Sequence, residues 1–164
     1  MEIRSAHTSD AAEIASIFNY EVEHSAPIWV ETFVSIEDRH KWIVARQTDG
    51  FPVLIAEDNG MVLGFGSFGP FRPYEGFRQT VEHLIYVSAA ARGKGVGRAL
   101  LASLIELARG QGKKVIVGAV DSENETSLLL HRSMGFVETG RMPQIGEKWG
   151  KRRTMVLLQR ELID

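Results

Sequence analysis

The stretch TVEHLIYVSAAARGKGVGRALLASLIELARGQ, residues 80–111, contains the pattern that decides the fold. Over residues 80–87 two sets of side chains alternate, which predicts a β-strand. Aliphatic side chains then recur at helical spacing over residues 96–108, which predicts a long amphipathic helix. The Gly-rich loop between them, residues 92–98, would present free backbone N–H groups at the positive end of the helix dipole. We therefore predict an anion site, in particular a phosphate site, at this turn.

The spacing of the glycines excludes two common phosphate loops. A dinucleotide fingerprint requires glycine where Arg98 stands, and a P-loop requires Ser or Thr after a Gly-Lys pair, which the chain does not have. The loop Arg92-Gly93-Lys94-Gly95-Val96-Gly97 instead satisfies the pattern [RQ]-x-x-G-x-[GA]. With its flanking strand and helix it resembles the acetyl-CoA pyrophosphate loop of the GNAT N-acetyltransferase superfamily. The alternative is a solvent-exposed turn with glycines for geometry only, but the basic residues Arg92, Lys94 and Arg98 favour an anion.

Length, composition and charge limit the possible functions. The 164 residues predict a single domain, 1–164, and 44% hydrophobic content suits a full core. A net charge of −2 argues against broad binding to nucleic acid or a membrane surface. The absence of cysteine excludes disulfides, cysteine-ligated metals and a cysteine nucleophile. The N-terminus lacks an apolar h-region and the sequence has no 18-residue apolar run, so we expect a soluble, cytoplasmic protein. We expect no metal site.

The whole chain predicts the order β-α-α-β-β-β-α-β-α-β-β, an α/β fold with helices on both faces of a mixed sheet. Capping boxes predict helix starts at Ser35 and at Ser122. Residues 21–34 are interpreted as irregular. Near the end, strands are predicted at 135–140 and 154–159, and residues 144–151 between them are polar and contain glycine. Because a helix links the strands at 80 and 114, we expect those two strands to be parallel.

Several further stretches narrow the family. They are Ile28-Trp29, Gly76-Phe77-Arg78-x-Thr80-Val81-Glu82-His83, Ile85-Tyr86-Val87, Leu130-His131, Met134-Gly135-Phe136 and Met142-Pro143-Gln144-Ile145-Gly146-x-Lys148-x-Gly150. Together they resemble the phosphinothricin N-acetyltransferase family, and within it the branch that acetylates methionine sulfone and methionine sulfoximine. The chain departs from the family at Lys151-Arg152-Arg153-Thr154, where Arg-Trp-x-Asp is usual. This segment can border the acceptor site or a dimer partner.

The resemblance implies how acetyl-CoA is held. The sheet would splay between the strands at 80 and 114, and the pantetheine amides would pair with the exposed edge of the first strand. Backbone N–H groups of the loop would bind the pyrophosphate. For Asn124 the alternative is a helix-start residue that satisfies its own backbone. The predicted cofactor-binding residues are Ile85, Tyr86, Val87, Gly93, Lys94, Gly95, Val96, Gly97, Arg98, Asn124 and Ser133.

Two residues are predicted to carry the chemistry. Glu82 is the only carboxylate in a largely apolar strand, and the family's matching Glu is regarded as the base that deprotonates the amine. The alternative is a surface carboxylate. His131 stands where many superfamily members have a Tyr thought to protonate the leaving thiolate, and its alternative is a packed side chain on a helix of leucines. His83 lies on the opposite strand face from Glu82 and is assigned no role, while the N–H of Tyr86 or Val87 could polarise the thioester carbonyl.

The acceptor is expected to be a small amino acid whose carboxylate needs a cation, for which Arg72 and Arg78 are candidates. Family positions that match Arg72, Glu75, Gly76 and Phe77 line the acceptor pocket, so these residues are predicted to bind substrate. Trp29 and Phe33 could wall the pocket or simply pack as core or lid. The family's habit also predicts a homodimer.

The leading hypothesis is therefore an acetyl-CoA-dependent N-acetyltransferase that detoxifies a methionine sulfone, methionine sulfoximine or phosphinothricin-like amino acid. Alternatives are an acetyltransferase for protein N-termini or polyamines, and a non-catalytic acyl-CoA-binding sensor on the same fold. The Arg-bearing loop argues against a polyamine. A nucleotide-binding protein is excluded by the motif spacing.

Overall fold

A computed structural model describes residues 1–162, in which four α-helices flank a seven-stranded mixed sheet. The strands are β1 Glu2–Ser5, β2 Val53–Asp58, β3 Met61–Pro70, β4 Thr80–Val87, β5 Val115–Asp121, β6 Val137–Lys148 and β7 Lys151–Glu161. The helices are α1 Ala11–His24, α2 Ile36–Thr48, α3 Val96–Gly110 and α4 Glu125–Ser133. The predicted order of elements is confirmed. The predicted domain also includes residues 163 and 164, which lie outside the described residues.

The strands follow the spatial order β1-β2-β3-β4-β5-β7-β6. Strands β4 and β5, which α3 connects, run parallel, and every other pair of neighbours is antiparallel. The prediction that the strands at 80 and 114 are parallel is confirmed. Strand β4 is therefore the middle strand of the seven, with β3 on one side and β5 on the other.

The two faces of the sheet carry separate cores. Along β2, Leu54 and Ala56 pack with α3 and α4, whereas Val53 and Ile55 pack with α1 and α2. This alternation is the two-residue period of a strand buried on both faces. The prediction of helices on both faces is confirmed.

The sheet splays open at its centre. Strands β4 and β5 pair only where Thr80–Glu82 lies beside Val115–Val117. Beyond that point residues 83–87 and 118–121 continue as strands without pairing to one another. The predicted splay is confirmed, and it begins immediately after Glu82.

Helix starts and ends differ in part from the prediction. The capping box at Ser35 is confirmed, since its hydroxyl accepts a 3.0 Å hydrogen bond from the N–H of Asp38. At α4 the prediction of Ser122 is wrong, because Asn124 is the N-cap and its side chain accepts from the N–H of Ser127 at 3.2 Å. The interpretation of residues 21–24 as irregular is also wrong, since burial of Val22 continues the apolar stripe of α1 to His24.

The last two strands form a hairpin much longer than predicted. Residues 144–151, which neither predicted strand includes, belong to β6, β7 and the two-residue turn between them. Trp149 and Gly150 have φ of 50° and 74°, the positive values that a primed hairpin turn requires. Shifts of register between Met142 and Gly146 leave the strand irregular enough to accept Pro143 at the sheet edge.

Candidate active site

Glu82 occupies the last paired position before the splay. Its neighbours across the sheet are Gly69 on β3 and Val117 on β5. Because Val81 packs against the α3 core, the alternation of the strand turns Glu82 toward α1 and α2. The carboxylate is half-buried, and burial raises its pKa against the opposing charges of Arg72 and Arg46. A carboxylate with a raised pKa at the mouth of a cleft is suited to accept a proton.

Past Glu82, strand β4 offers one edge of its backbone to the splay. Ile85, Tyr86 and Val87 pair with β3 on one side, while their other side has no strand partner among residues 1–162. The Tyr86 ring stacks on Phe65 with centroids 5.1 Å apart, and burial raises its pKa to about 12. The Tyr86 hydroxyl therefore stays protonated. The edge of β4 that has no strand partner suits an extended ligand that carries amides.

The Gly-rich loop has the geometry of an anion site. Within the described chain, the backbone N–H groups of residues 93–98 find no acceptor. Gly93 and Gly95 have φ of 74° and 81°, and a Cβ on either would meet nothing within 4 Å. Glycine is needed here for its positive φ, and it also leaves the approach to the N–H groups open.

Two arginines of this loop already have partners. Arg98 donates a 2.7 Å hydrogen bond to the hydroxyl of Ser133, so two predicted cofactor-binding residues 35 positions apart lie together. Arg92 forms an ion pair with the buried Glu21 of α1. Lys94 is exposed and has no ion-pair partner among the residues described. Asn124, by contrast, uses its side-chain oxygen to cap α4, which is the helix-start arrangement.

His131 is buried against His83 at the closed end of the splay. Its Nδ1 lies 2.7 Å from the carbonyl of Ser127, which requires an N–H at that nitrogen. Its Nε2, 3.0 Å from Nε2 of His83, is then an acceptor, so His83 carries its proton there. A Cβ on Gly118 would lie 2.9 Å from His131, so glycine makes room for the pair. Burial lowers the pKa of both rings, that of His83 to about 3, and both are neutral.

The predicted acceptor residues lie in the exposed loop between β3 and β4. Arg72, Glu75 and Phe77 line a groove of about 330 Å³, and Gly76 lies in the same short turn. Arg72 is close enough to oppose protonation of Glu82. Arg78, the other predicted cation, instead donates to the carbonyl of Glu75 in its own loop at 3.1 Å.

Trp29 is held at the end of β5 by a hydrogen bond to Asp121, which forms a buried ion pair with Arg153. Its indole N–H donates to Asp121 at 2.7 Å, and Arg153 binds the same carboxylate. Burial opposes ionisation of Asp121, but hydrogen bonds from Arg153, the N–H of Glu123 and Trp29 outweigh it and lower the pKa. Arg153 belongs to the segment that departs from the family pattern, and it serves here to hold Trp29. Phe33, the other predicted wall, is 58% exposed.

Sequence reasoning missed the role of Lys148. This residue is 1% exposed, and its ammonium donates to the carbonyls of Val22, at 2.7 Å, and Val30. It thereby fixes the connection between α1 and α2 beside Trp29. No local pattern indicates such a contact, because the partners are 126 and 118 residues away.

Sequence reasoning also missed the inward face of α2. Arg39, Trp42 and Arg46 are half-buried there and recur at helical spacing. A helical stripe that places arginines on the sheet side is a signal that could have been found in the sequence. As for metals, residues 1–162 contain no group of three or more metal-ligating side chains suited to an ion. No helix of that part of the chain has the length and apolar character to cross a membrane.

Comparison with known proteins identifies the family. A model described as the acetyltransferase (GNAT) family matches residues 13–136. The chain belongs to the GNAT acetyltransferase family. The family, the fold and the enzyme class predicted from the sequence are thereby confirmed.

Three relatives of this GNAT chain show how far the similarity extends. An L-methionine sulfoximine/L-methionine sulfone acetyltransferase of Salmonella typhimurium is 46% identical over 99% of this chain and 95% of its own. The structure of a putative acetyltransferase from Salmonella typhimurium with its cofactor acetyl-CoA has a TM-score of 0.97 at 46% identity, covering 100% of this chain and 95% of its own. A ribosomal-protein-alanine N-acetyltransferase from Brucella melitensis has a TM-score of 0.96 at 45% identity, covering 98% and 99%.

Proposed function

We propose that this protein is an acetyl-CoA-dependent N-acetyltransferase that acetylates the α-amine of a small amino acid of the methionine sulfone, methionine sulfoximine or phosphinothricin type. The observation that carries the proposal is the position of Glu82, a half-buried carboxylate beside the unpaired edge of β4. Two arginines, Arg46 and Arg72, act on the same carboxylate. The activity for which the Salmonella typhimurium relative is named agrees with this acceptor class.

The described residues fit acetyl-CoA at two points. The free N–H groups of residues 93–98 suit its pyrophosphate, and the open edge of residues 85–87 suits its pantetheine amides. Arg98 and Ser133 are close enough to contact the same part of the ligand. Acetyl-CoA would supply the acetyl group as a thioester.

Glu82 removes the proton that blocks the acceptor. At neutral pH an α-amine is mostly in its protonated, ammonium form. It therefore needs a base, acting directly or through water, before it can attack the thioester. The raised pKa of Glu82 makes it a better proton acceptor than an exposed glutamate. The N–H of Ser88 donates to Leu63 on β3, so the alternation of the strand turns the N–H of Tyr86 to β3 and that of Val87 to the splay. Of the two predicted donors, the N–H of Val87 is therefore the one that could stabilise negative charge on the carbonyl oxygen.

For His131 we propose a positioning role as the first choice and acid catalysis as the second. Both ring nitrogens are engaged, one with Ser127 and the other with His83, and the residue is 4% exposed. A neutral pair of rings at the closed end of the splay would keep β4 and β5 apart. Protonation of the leaving thiolate by His131 stays a prediction.

The second candidate function is acetylation of a protein N-terminus. The similarity to the Brucella melitensis ribosomal-protein-alanine N-acetyltransferase favours it. The two acceptors differ at one group, since a free amino acid carries a carboxylate where a peptide carries an amide.

An assay of thiol release across an acceptor panel tests the proposal. The panel contains methionine sulfone, methionine sulfoximine, phosphinothricin, a peptide with N-terminal alanine, and spermidine. We expect turnover with at least one of the three amino acids and none with spermidine. Activity on the peptide alone would overturn the acceptor class and leave acetyl transfer standing. Acetyl-CoA binding without any turnover would favour the sensor.

We also propose a cytoplasmic homodimer. The edge strand β6 and its turn expose Val137, Met142, Ile145 and Trp149, each at least 40% accessible. Exposed apolar side chains along one edge suit an interface with a second copy. A monomeric mass by light scattering would contradict the dimer, and cell fractionation tests the location.

A further inference from the structure

Helix α2 turns two arginines toward the sheet beside its apolar residues. Of its thirteen residues only Ile43 is buried. Arg39, Trp42 and Arg46 are half-buried, and all the others are exposed. A helix that packs on a sheet normally presents an apolar stripe, so two arginines on this face require a reason.

Arg46 lies beside Glu82 without binding it. Glu82 is paired across the strands with Gly69, and a Cβ on Gly69 would overlap the Arg46 guanidinium, whose central carbon would be 2.6 Å away. Side chains of directly paired residues project from the same face about 5 Å apart. The guanidinium therefore occupies the place that a side chain at position 69 would take, next to the carboxylate.

The side chains of Arg46 and Glu82 interact electrostatically but form no ion pair. Burial lowers the pKa of Arg46 and raises that of Glu82, and the charge of each group opposes the effect of burial on the other. Within residues 1–162, however, Arg46 forms no salt bridge with Glu82 or any other carboxylate. Its guanidinium carbon lies 5.9 Å from the centroid of the Trp42 ring. A half-buried guanidinium without an anion is left free to bind one from a ligand.

The chemistry of an amino acid matches this pair of charges. Its ammonium and its carboxylate are bonded to the same carbon, so a receptor needs an anion and a cation side by side. We propose that Arg46 binds the α-carboxylate of the acceptor while Glu82 faces its amine, and that Gly69 makes room for the guanidinium. This inference rests on the proposed function and deepens it, because it makes Arg46 the residue that selects free amino acids over peptides and simple amines.

The test compares two acceptors that differ only in the carboxylate. Arg46→Gln is assayed with methionine sulfone and with methionine sulfone amide, in which the carboxylate is replaced. For methionine sulfone we expect KM to rise about 10- to 100-fold, the loss expected for one hydrogen bond to a charged group, with kcat changed much less. For the amide, KM should stay the same. Arg46→Lys keeps the charge but loses the planar fork, so its KM should fall between the two.

Two further variants separate binding from folding. Gly69→Ala displaces the guanidinium without removing it and should raise KM for methionine sulfone selectively. Lys41→Gln removes a charge from the outward face of the same helix, where the side chain is 71% exposed, and should leave both acceptors unchanged. Thermal midpoints and acetyl-CoA affinity show whether each variant is folded.

Three outcomes would overturn the inference. Arg46→Gln could impair both acceptors equally, Arg72→Gln could show the selective effect in its place, or the wild type could use the amide as well as the acid. In each of these the proposed acetyltransferase still stands. If the wild type acetylates neither acceptor, the proposed function fails and the inference fails with it.

Discussion

Helices α2 and α3 cover opposite faces of the same sheet, but they differ in what they turn toward it. Helix α3 buries an entirely aliphatic stripe, namely Val96, Leu100, Leu101, Leu104, Ile105 and Ala108. Helix α2 buries only Ile43 and half-buries Arg39, Trp42 and Arg46. The α3 face is therefore an entirely apolar core, whereas the face under α1 and α2 combines a second apolar core with half-buried arginines on the side of Glu82. Natural proteins depart from regular patterning mainly at functional sites, and this molecule confines the departure to one face.

The largest effect is expected from removing the carboxylate on the α2 face. Glu82→Gln keeps the shape of the side chain but cannot accept a proton. Because general base catalysis contributes about 10²- to 10⁴-fold, kcat should fall by that factor while acetyl-CoA affinity stays near normal. Steady-state kinetics and calorimetry with acetyl-CoA measure the two quantities.

The pH profile provides the control for that variant. Burial raises the pKa of Glu82 above the value of 4.5 usual for glutamate, and only the deprotonated form is a base. Activity of the wild type should therefore fall as pH falls through this raised pKa, and the limb due to Glu82 should be absent from the Gln variant. Glu106→Gln, an exposed position on α3, should behave as the wild type. Full turnover by Glu82→Gln would exclude this residue as the base.

The α3 face could be predicted from the sequence, because its signals are local. Alternation in residues 80–87 and helical spacing in residues 96–108 are properties of consecutive side chains, and Gly93 and Gly95 stand where positive φ is needed. The order of elements along the whole chain follows from similar patterns.

What could not be predicted depends on contacts between distant segments. The strand β6 contains Gly140, Pro143 and Gly146, which are typical of loops, and it is ordered by pairing with β7. From the sequence alone Arg153 would be interpreted as a surface charge, but in the structure it is buried in an ion pair with Asp121. The contact between Arg46 on α2 and Gly69 on β3 is of the same kind, because no local pattern predicts how this helix lies relative to this strand.

The next largest effect is expected in the core under α3. Leu104 is fully buried, so Leu104→Ala leaves a cavity and should lower the free energy of unfolding by about 3 kcal/mol. Urea denaturation measures the change. On the same helix Leu107 is 40% exposed, and Leu107→Ala should change stability by less than about 0.5 kcal/mol. Equal effects of the two substitutions would mean that the stripe does not pack as described.

The smallest effect, and the one that distinguishes the two faces most sharply, is expected from Arg46→Met. Burial lowers the pKa of Arg46, which means that folding disfavours its charged form. An arginine is charged at every ordinary pH, so this cost is present throughout the range in which the protein is assayed. Methionine keeps an unbranched side chain against Trp42 and carries no charge, and the solvent that reaches the site reduces the gain to about 0.5 kcal/mol.

A gain of that size corresponds to a rise of about 1 to 2 °C in the thermal midpoint of a domain of this length. Lys41→Met, on the exposed outward face of α2, should give no such rise. Arg46→Met should be more stable than the wild type and should acetylate free amino acids less efficiently. Both effects have one cause, because the guanidinium that is costly to bury is also the group that binds the α-carboxylate of the acceptor. If Arg46→Met instead lowers the midpoint by several degrees, the guanidinium stabilises the fold through its contact with Trp42. The arginine would then be part of the packing of the core under α1 and α2, and the contrast with α3 would disappear.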